Sequence, residues 1–357
     1  MKKWFNIAVF VTLVSFAACT KVENNGAPER ISYAVGSYAA TTKVSEYGSY
    51  ESLDNFQSKS FLHSEGAVVG TEFFTSTISW DGAIWAPEHD YYWPKHPQSY
   101  LNFVSWYAND GSANITPDTV NETAFEINNR TVGANDRILI ADEAWHQKAN
   151  STTYYTSGVP TLFHHLLSRV KLNMKVTTTS DPEIAGVTYE VKIQDVHFEG
   201  LFQQGNLRLQ NADPTTAGTR EWYSSASATY LWTTVAGSNS GNVTVLDSET
   251  SIGTDYHTVL SERSFLPQSL ENAIKLCIEY SVTTKSNGIE TSTETEIPAT
   301  VVMNTIKNTS DVAITQWVPN KIYTYNIAIN PIGREILLNP VVESEWSFAD
   351  DINVTVE

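Results

Sequence analysis

Residues Ile31–Tyr38 read ISYAVGSY, and the prediction of the fold starts from this stretch. Ile31, Tyr33 and Val35 alternate with small or polar residues. A period of two is typical of a β-strand that turns one face toward a core. The sequence therefore predicts that the folded part of the chain begins with a half-buried strand.

The last stretch of the chain, Ile352–Glu357, reads INVTVE and has the same alternation. Its apolar side chains, Ile352, Val354 and Val356, would form a buried face similar to that of the first strand. Two interpretations are open. Both stretches can be edge strands of a monomer, or the last strand of one molecule can take the place of the first strand of another.

The first residues of the chain have the pattern of a secretion signal. Lys2 and Lys3 precede the apolar stretch Trp4–Phe16, which is too short to span a membrane. The signal ends in FAAC, which resembles a bacterial lipobox and implies cleavage before Cys19 and acylation of its thiol, for example with palmitate. The alternative is a signal peptide cut near Ala18 that leaves Cys19 free. The prediction is a signal peptide at residues 1–18, followed by a polar tether at 19–30.

Composition excludes some classes of partner. The chain has 357 residues, a formal net charge of -18 and 41% hydrophobic residues. It can bury a large core, but its charge repels nucleic acid and gives no help in binding an anionic membrane. Cys19 and Cys277 are the two cysteines. Cys277 lies in the apolar run IKLCIEY, which predicts a small buried side chain and no disulfide with Cys19.

The remainder of the chain reads as strands and turns, which predicts an all-β protein made of β-sandwiches. Asn287-Gly288, between two alternating segments, predicts a hairpin. Leu162–Val176 is interpreted as one long strand, because its apolar residues alternate with polar ones: Val170, Leu172, Met174 and Val176 with Lys171, Asn173 and Lys175. A polar stretch, Ser151–Thr161, predicts a boundary between an N-terminal domain at 31–158 and a C-terminal domain at 159–357.

No pattern of catalytic or metal-ligand residues is found in the sequence, and no enzyme activity, cofactor or metal is predicted. The histidines show no HExxH spacing and no Cys/His set. His164 and His165 are predicted to be one core and one surface residue, because neighbours on a strand face opposite ways. Eight aromatic residues can line a sugar-binding surface, although strand aromatics are more often core residues: Trp80, Trp85, Tyr91, Tyr92, Trp93, Tyr100, Trp106 and Tyr107.

Seven segments share their order and spacing with one known family. These are the lipobox at Cys19, YYWPKHPQSYLNFVSWYA (Tyr91–Ala108), DRILIA (Asp136–Ala141), FHHLLSRVKLNMKV (Phe163–Val176), FLPQ (Phe265–Gln268), WVPNKIYTYNIAI (Trp317–Ile329) and the terminal ESEWSFADDINVTVE (Glu343–Glu357). Together they resemble the fimbrillin family of Bacteroidales surface lipoproteins, the pilins of type V pili. The resemblance implies two tandem transthyretin-like β-sandwich domains with Greek-key-type topology, and export as an outer-membrane lipoprotein precursor.

The resemblance also implies assembly into an adhesive surface fimbria by strand exchange. A trypsin-like extracellular protease cuts after a basic residue that follows the first strand, and the terminal strand of a neighbouring subunit fills the groove. The family usually has Arg at the cut, whereas this chain has Lys43 there. Arg30 is the alternative cut, and it would leave Ile31–Tyr38 in place. The receptor is not indicated. The rival prediction is a monomeric glycan-binding surface lipoprotein that uses the aromatic residues.

Overall fold

A computed structural model describes fifteen stretches of the chain: residues 29–37, 53–64, 67, 69–96, 98–109, 119–120, 122, 124–147, 158–210, 218–220, 232–237, 242–246, 248–271, 274–308 and 310–343. These residues are almost entirely β-structure, which confirms the predicted all-β class. One 3₁₀ turn, Met303–Thr305, interrupts the strands. Among the described residues, no helix has the length and apolar character to cross a membrane.

The strands are numbered in chain order. They are β1 (Tyr33–Ser37), β2 (Asn55–His63), β3 (Thr71–Trp80), β4 (Trp85–Pro87), β5 (Tyr100–Ala108), β6 (Thr119–Val120), β7 (Ala124–Thr131), β8 (Ile138–Ala141), β9 (Glu143–Gln147), β10 (Val159–His165), β11 (Ser168–Val176), β12 (Val187–Glu199), β13 (Gln204–Gln210), β14 (Gly218–Arg220), β15 (Trp232–Thr234), β16 (Val243–Thr244), β17 (Thr250–Ile252), β18 (His257–Phe265), β19 (Gln268–Ser269), β20 (Lys275–Ser286), β21 (Ile289–Val302), β22 (Gln316–Trp317), β23 (Ile322–Asn330) and β24 (Glu335–Glu343).

The first half of the chain forms a sheet that closes on itself. Its strand order is β14-β9-β5-β2-β3-β4-β1-β10-β8, and β5 also pairs with β8. Seven strands therefore form a closed ring, in the order β5, β2, β3, β4, β1, β10 and β8, and β8 pairs back to β5. Within this ring β1 lies between β4 and β10. Closure of the ring shortens the unpaired strand edge of the sheet, and unpaired edges are sites of association with other chains.

Two apolar clusters stabilise this half. One lies inside the ring and includes Phe56, Trp85 and Phe163. The other lies between the ring and a smaller sheet of order β15-β13-β7-β6, and includes Trp106 and Phe125. Both clusters are rich in aromatic side chains, which bury large areas and contact one another edge to face. The ring is therefore covered on both sides along part of its wall.

The second half is a sandwich of two sheets. One has the order β18-β11-β23-β24, and the other has the order β16-β12-β20-β21, with β17 also paired to β12. Alternate residues of β11 are fully buried, from Val170 to Val176. The period-two pattern of the sequence predicted that alternation correctly. The Asn287-Gly288 hairpin is also confirmed, because the two residues have φ of 47° and 82° and join β20 to β21.

Leu162–Val176 is not one strand, so that prediction was wrong. The run breaks at Leu166 and Leu167, both fully buried, where the chain leaves the ring and enters the sandwich. The backbone at the break is bonded elsewhere: Leu166 donates to Ile138 O at 2.9 Å, and Leu167 O accepts from Asn320 N at 3.1 Å. Tertiary hydrogen bonds therefore replace the strand ladder at these residues.

The division into domains at residues 31–158 and 159–357 stays a prediction. The strand pairing places the passage from the ring to the sandwich after residue 158, because β10 still pairs with β1 and β8 inside the ring. β13 then returns to pair with β7. A boundary drawn by strand pairing alone would fall at Leu166-Leu167, after β10.

Candidate functional site: the first strand and its groove

β1 is held very unequally by its two neighbours. Five residue pairs join it in parallel to β10, from Tyr33 opposite Val159 to Ser37 opposite Phe163. A single antiparallel pair, Tyr33 opposite Trp85, joins it to β4. β1 is thus an internal strand of the ring with a short ladder on one side.

The residues just before β1 extend its pairing. Ile31 N donates to Tyr91 O at 2.8 Å, and Trp93 N donates to Glu29 O at 2.9 Å. Arg30, between these two bonds, forms an ion pair with Asp90 at 2.8 Å, and both side chains are substantially exposed. Exposed pairs contribute about 0–1 kcal/mol, so the backbone bonds and not the ion pair fix this segment.

Three side chains of this segment face the interior of the ring. Ile31, Tyr33 and Val35 are 0%, 4% and 1% exposed, which agrees with the alternation in the sequence. The Tyr33 ring contacts Phe56 and Phe103 edge to face, with centroids 5.6 and 5.8 Å away. The groove beneath β1 is therefore apolar and aromatic.

The Tyr33 hydroxyl is paired inside the groove. It donates to Ser58 Oγ at 2.9 Å, and Ser105 Oγ also donates to Ser58 Oγ at 2.9 Å. Burial raises the pKa of Tyr33 far above its ordinary value, so this phenol stays neutral. Tyr33, Ser58 and Ser105 therefore form a small hydrogen-bonded cluster of hydroxyls inside the ring.

Gly158 lets β10 begin against β1. It has a φ of +87°, and a Cβ placed there would lie 2.8 Å from Tyr33 C and 2.9 Å from Ser32 O. Both the backbone angle and the close approach require glycine. The next residue, Val159, donates to Ser32 O at 2.7 Å, which starts the parallel ladder.

Several predicted site residues lie outside the described parts of the chain: Cys19, Lys43, Ile352, Val354 and Val356. The last described strand is β24, which pairs antiparallel with β23 from Glu335 to Glu343 and, among the described residues, lies at the edge of its sheet. Of the predicted processing residues, the structure describes Arg30.

The aromatic residues are mainly structural. Trp85, Trp93 and Trp106 are buried, at 2%, 7% and 5% exposure. Trp80 and Tyr92 are exposed at 37% and 41%. The indoles that would have to stack on a sugar are therefore largely within the core.

The histidine pair was predicted wrongly. His164 and His165 are both buried, because the end of β10 is covered on both faces. His164 Nε2 lies 2.8 Å from Asp142 Oδ1. Burial, followed by the positive charges of Arg137 and Arg169, lowers the pKa of His165 well below its ordinary value.

Cys277 is also not a core residue, contrary to the prediction. It is partly exposed, and it lies beside His197 and Glu199, with one possible ligand atom of each residue within 4.8 Å of the others. Sequence spacing gave no signal, because the Cys is far from the other two along the chain. Only the register that sets His197 opposite Cys277 brings them together.

The ring of strands and the two-sheet sandwich define the class: a large all-β protein built of packed sheets. The fimbrillin-like family profile matches residues 50–346, and the chain belongs to this family. The predicted resemblance is thereby confirmed, and the family makes the chain a fimbrial structural protein of the cell surface, not an enzyme. The matched range starts after β1 and ends before the INVTVE stretch.

Solved structures with a similar fold include a fimbrial protein from Bacteroides vulgatus ATCC 8482, with 12% identity and a TM-score of 0.59 over 89% of this chain and 99% of that chain. A putative cell adhesion protein from Parabacteroides distasonis ATCC 8503 has 10% identity and a TM-score of 0.45, over 90% and 100% of the two chains. At 12% identity, the likeness to the Bacteroides vulgatus protein is one of fold. No curated relative matches the sequence.

Proposed function

We propose that this protein is the precursor of a fimbrial subunit that polymerises head to tail by protease-triggered strand exchange, and that the resulting fibre serves adhesion. The observation that carries the proposal is the position of β1. Among the described residues it is the strand that joins β4 to β10, so its removal opens the ring along an apolar groove. Family membership supports the same function.

The free energy of burial favours refilling such a groove. Burying three side chains at the positions of Ile31, Tyr33 and Val35 stabilises the filled groove by roughly 5–9 kcal/mol, at about 1.5–3 kcal/mol for each side chain. The unpaired backbone of β10 adds to the cost of leaving the groove open. A strand added from another chain supplies both contributions, and a head-to-tail interface that does not close builds a filament.

The terminal residues Ile352, Val354 and Val356 are the donor face in this proposal. They repeat the alternation of the first strand but lack a phenol. The Tyr33 seat tolerates an aliphatic side chain because Ser58 Oγ keeps its bond from Ser105 Oγ at 2.9 Å. Ser58 and Ser105 then still have each other as hydrogen-bond partners.

Lys43 is the better processing site of the two candidates. The backbone around Arg30 is bonded to that of Tyr91 and Trp93, and Arg30 forms an isolated bridge with Tyr92. A trypsin-like protease needs an extended backbone free of such pairing. Cleavage after Lys43 also frees β1, whereas cleavage after Arg30 would leave it in the ring.

In this proposal the precursor reaches the outer membrane through a lipid on Cys19, and cleavage after Lys43 then releases it into the fimbria. The transthyretin-like, Greek-key description of its two domains belongs to the same proposal. Its partners are neighbouring subunits, the maturation protease and a surface receptor of unknown chemistry.

The direct test is limited trypsin digestion of the purified native precursor, followed by N-terminal sequencing and sizing. We expect a new N-terminus at Val44 and a ladder of polymers. Lys43→Gln should abolish both, whereas the matched control Arg30→Gln should abolish neither. A cut subunit that stays monomeric and is retained by a polysaccharide column would contradict the proposal in favour of glycan binding.

A further inference from the structure

A cluster of three different ligand types lies on the outer face of the two-sheet sandwich, away from β1. His197 and Glu199 are two residues apart on β12, so they face the same way. Cys277 of β20 is directly opposite His197 in the antiparallel ladder. Side chains at directly opposite positions have Cβ atoms roughly 4.5–5.5 Å apart, so the strand register itself forms the cluster.

The spacing suits a metal ion. His197, Glu199 and Cys277 each offer a ligand atom within 4.8 Å of the others, and His197 Nε2 lies 3.8 Å from Glu199 Oε1. With metal–ligand bonds of about 2.0–2.3 Å, the ligand atoms of a tetrahedral site lie roughly 3.3–3.8 Å apart. Small side-chain rotations are enough to reach that geometry.

The imidazole is already oriented for ligation. Asp195, two residues before His197 on the same face, accepts a hydrogen bond from His197 Nδ1. This bond places the proton on Nδ1 and leaves Nε2, which lies 3.8 Å from Glu199 Oε1, available for a metal ion. A carboxylate behind a ligating histidine is the usual second partner of such a site.

The charges around the cluster are compatible with a bound cation. Lys275 Nζ lies 3.7 Å from Glu199 Oε2, so the other oxygen, Oε1, remains on the side of His197. Zinc binds the thiolate form of cysteine, so binding of the ion would displace the thiol proton of Cys277.

We propose that His197, Glu199 and Cys277 form a binding site for a divalent transition-metal ion, with Asp195 as a positioning residue. Zinc fits best because it accepts thiolate, imidazole and carboxylate together, whereas calcium and magnesium require oxygen ligands. Three protein ligands leave the fourth tetrahedral position open to water or to a group from another molecule.

The test uses the full chain carrying Cys19→Ser, in which Cys277 is the one remaining thiol. Zinc affinity is measured by calorimetry, and cobalt is used as the spectroscopic probe. We expect a thiolate-to-cobalt charge-transfer band. Cys277→Ser should abolish the band, and Cys277→Ser and His197→Gln should each weaken zinc binding at least tenfold. Asp195→Asn should weaken it 10–100-fold with the band retained, because all three ligands remain.

Two further variants separate ligation from simple charge attraction. Lys275→Gln removes a cation that competes for Glu199 and should strengthen zinc binding. His257→Gln, an exposed strand histidine of the same sandwich, should leave it unchanged. The proposal is overturned if the chain binds no zinc, if its cobalt form lacks the charge-transfer band, or if Cys277→Ser binds zinc as tightly as the parent. Circular dichroism shows that each variant is folded.

Discussion

At the scale of single residues, the first strand is held in its groove by a few specific contacts. Gly158 brings the start of β10 into contact with the backbone of the first strand segment, and Tyr33 fills the middle of the ring with a phenol bonded to Ser58. Such positions determine how tightly the first strand is held before it is removed.

Gly158→Ala should destabilise the precursor more than the same substitution at a glycine where the positive φ is the only obstacle. A φ of +87° costs a non-glycine residue about 1–2 kcal/mol, and the contact of 2.8 Å with Tyr33 C adds to it. Gly82→Ala is the matched control, because its φ is +98° but no atom lies within 4 Å of the added Cβ. Chemical denaturation should show the larger loss of unfolding free energy for Gly158→Ala. Equal losses in the two variants would show that the close contact with the backbone of the first strand does not add to the cost.

His165 should make the fold sensitive to mild acid. Its pKa is lowered in the folded protein by burial and by Arg137 and Arg169, so below about pH 6.5 the unfolded chain binds a proton that the folded chain does not. The contribution of His165 to the free energy of unfolding is therefore fully present above that pH. It is lost as the pH falls toward the folded-state pKa, by at most about 1.4 kcal/mol per pH unit.

The measurement is the free energy of unfolding at pH 7 and pH 5 for the parent, His165→Gln and the exposed control His257→Gln. We expect the difference between the two pH values to shrink in His165→Gln and to persist in the control. An unchanged difference in His165→Gln would mean that this buried imidazole does not govern the acid response.

At the scale of elements, the features that local sequence determines were predicted and those that need distant partners were not. The β11 alternation and the Asn287-Gly288 hairpin follow from side chains within one segment. The break at Leu166-Leu167 is invisible in an apolar run, because it is set by backbone bonds to Ile138 and Asn320. Parallel pairing of β1 with β10 also joins residues far apart along the chain.

The candidate sites also combine features set by local sequence with features set by distant partners. The inward face of the first strand was readable from its period of two, but closure of the ring through β5 and β8 was not. His197, Glu199 and Cys277 meet only because of the register of β12 on β20. The burial of both His164 and His165 depends on covering layers that a strand pattern does not contain.

A peptide of the last ten residues, FADDINVTVE, should bind the cut subunit through its alternating face. The matched control exchanges each neighbouring pair of INVTVE to give NITVEV, which keeps the composition and moves the apolar side chains to the other face. We expect the native peptide to bind at least tenfold more tightly, and neither peptide to bind the uncut precursor. Fluorescence anisotropy gives both affinities, and equal affinities would contradict strand addition.

At the scale of the whole molecule, a net charge of -18 opposes contact between identical subunits. Assembly must overcome this repulsion, which salt screens over a Debye length of about 10 Å at 0.1 M. Subunits cut beforehand, so that the protease plays no part, should polymerise faster at 150 mM than at 10 mM sodium chloride. Light scattering follows the rate, and a slower rate at higher salt would indicate that attractive charge pairs dominate the interface.

The most direct test of strand exchange is disulfide trapping in the assembled polymer. Leu162 lies on β10 opposite Gly36 of β1, and its side chain is half-buried on the face that points away from the ring interior. Leu162→Cys would be combined with Asn353→Cys or Thr355→Cys in a chain that carries Cys19→Ser and Cys277→Ser. We predict a disulfide between successive subunits, for at least one of the two combinations, that forms only after the cut at Lys43. Polymers that form with neither disulfide, or an uncut monomer that forms one within itself, would contradict replacement of the first strand by the last strand of a neighbour.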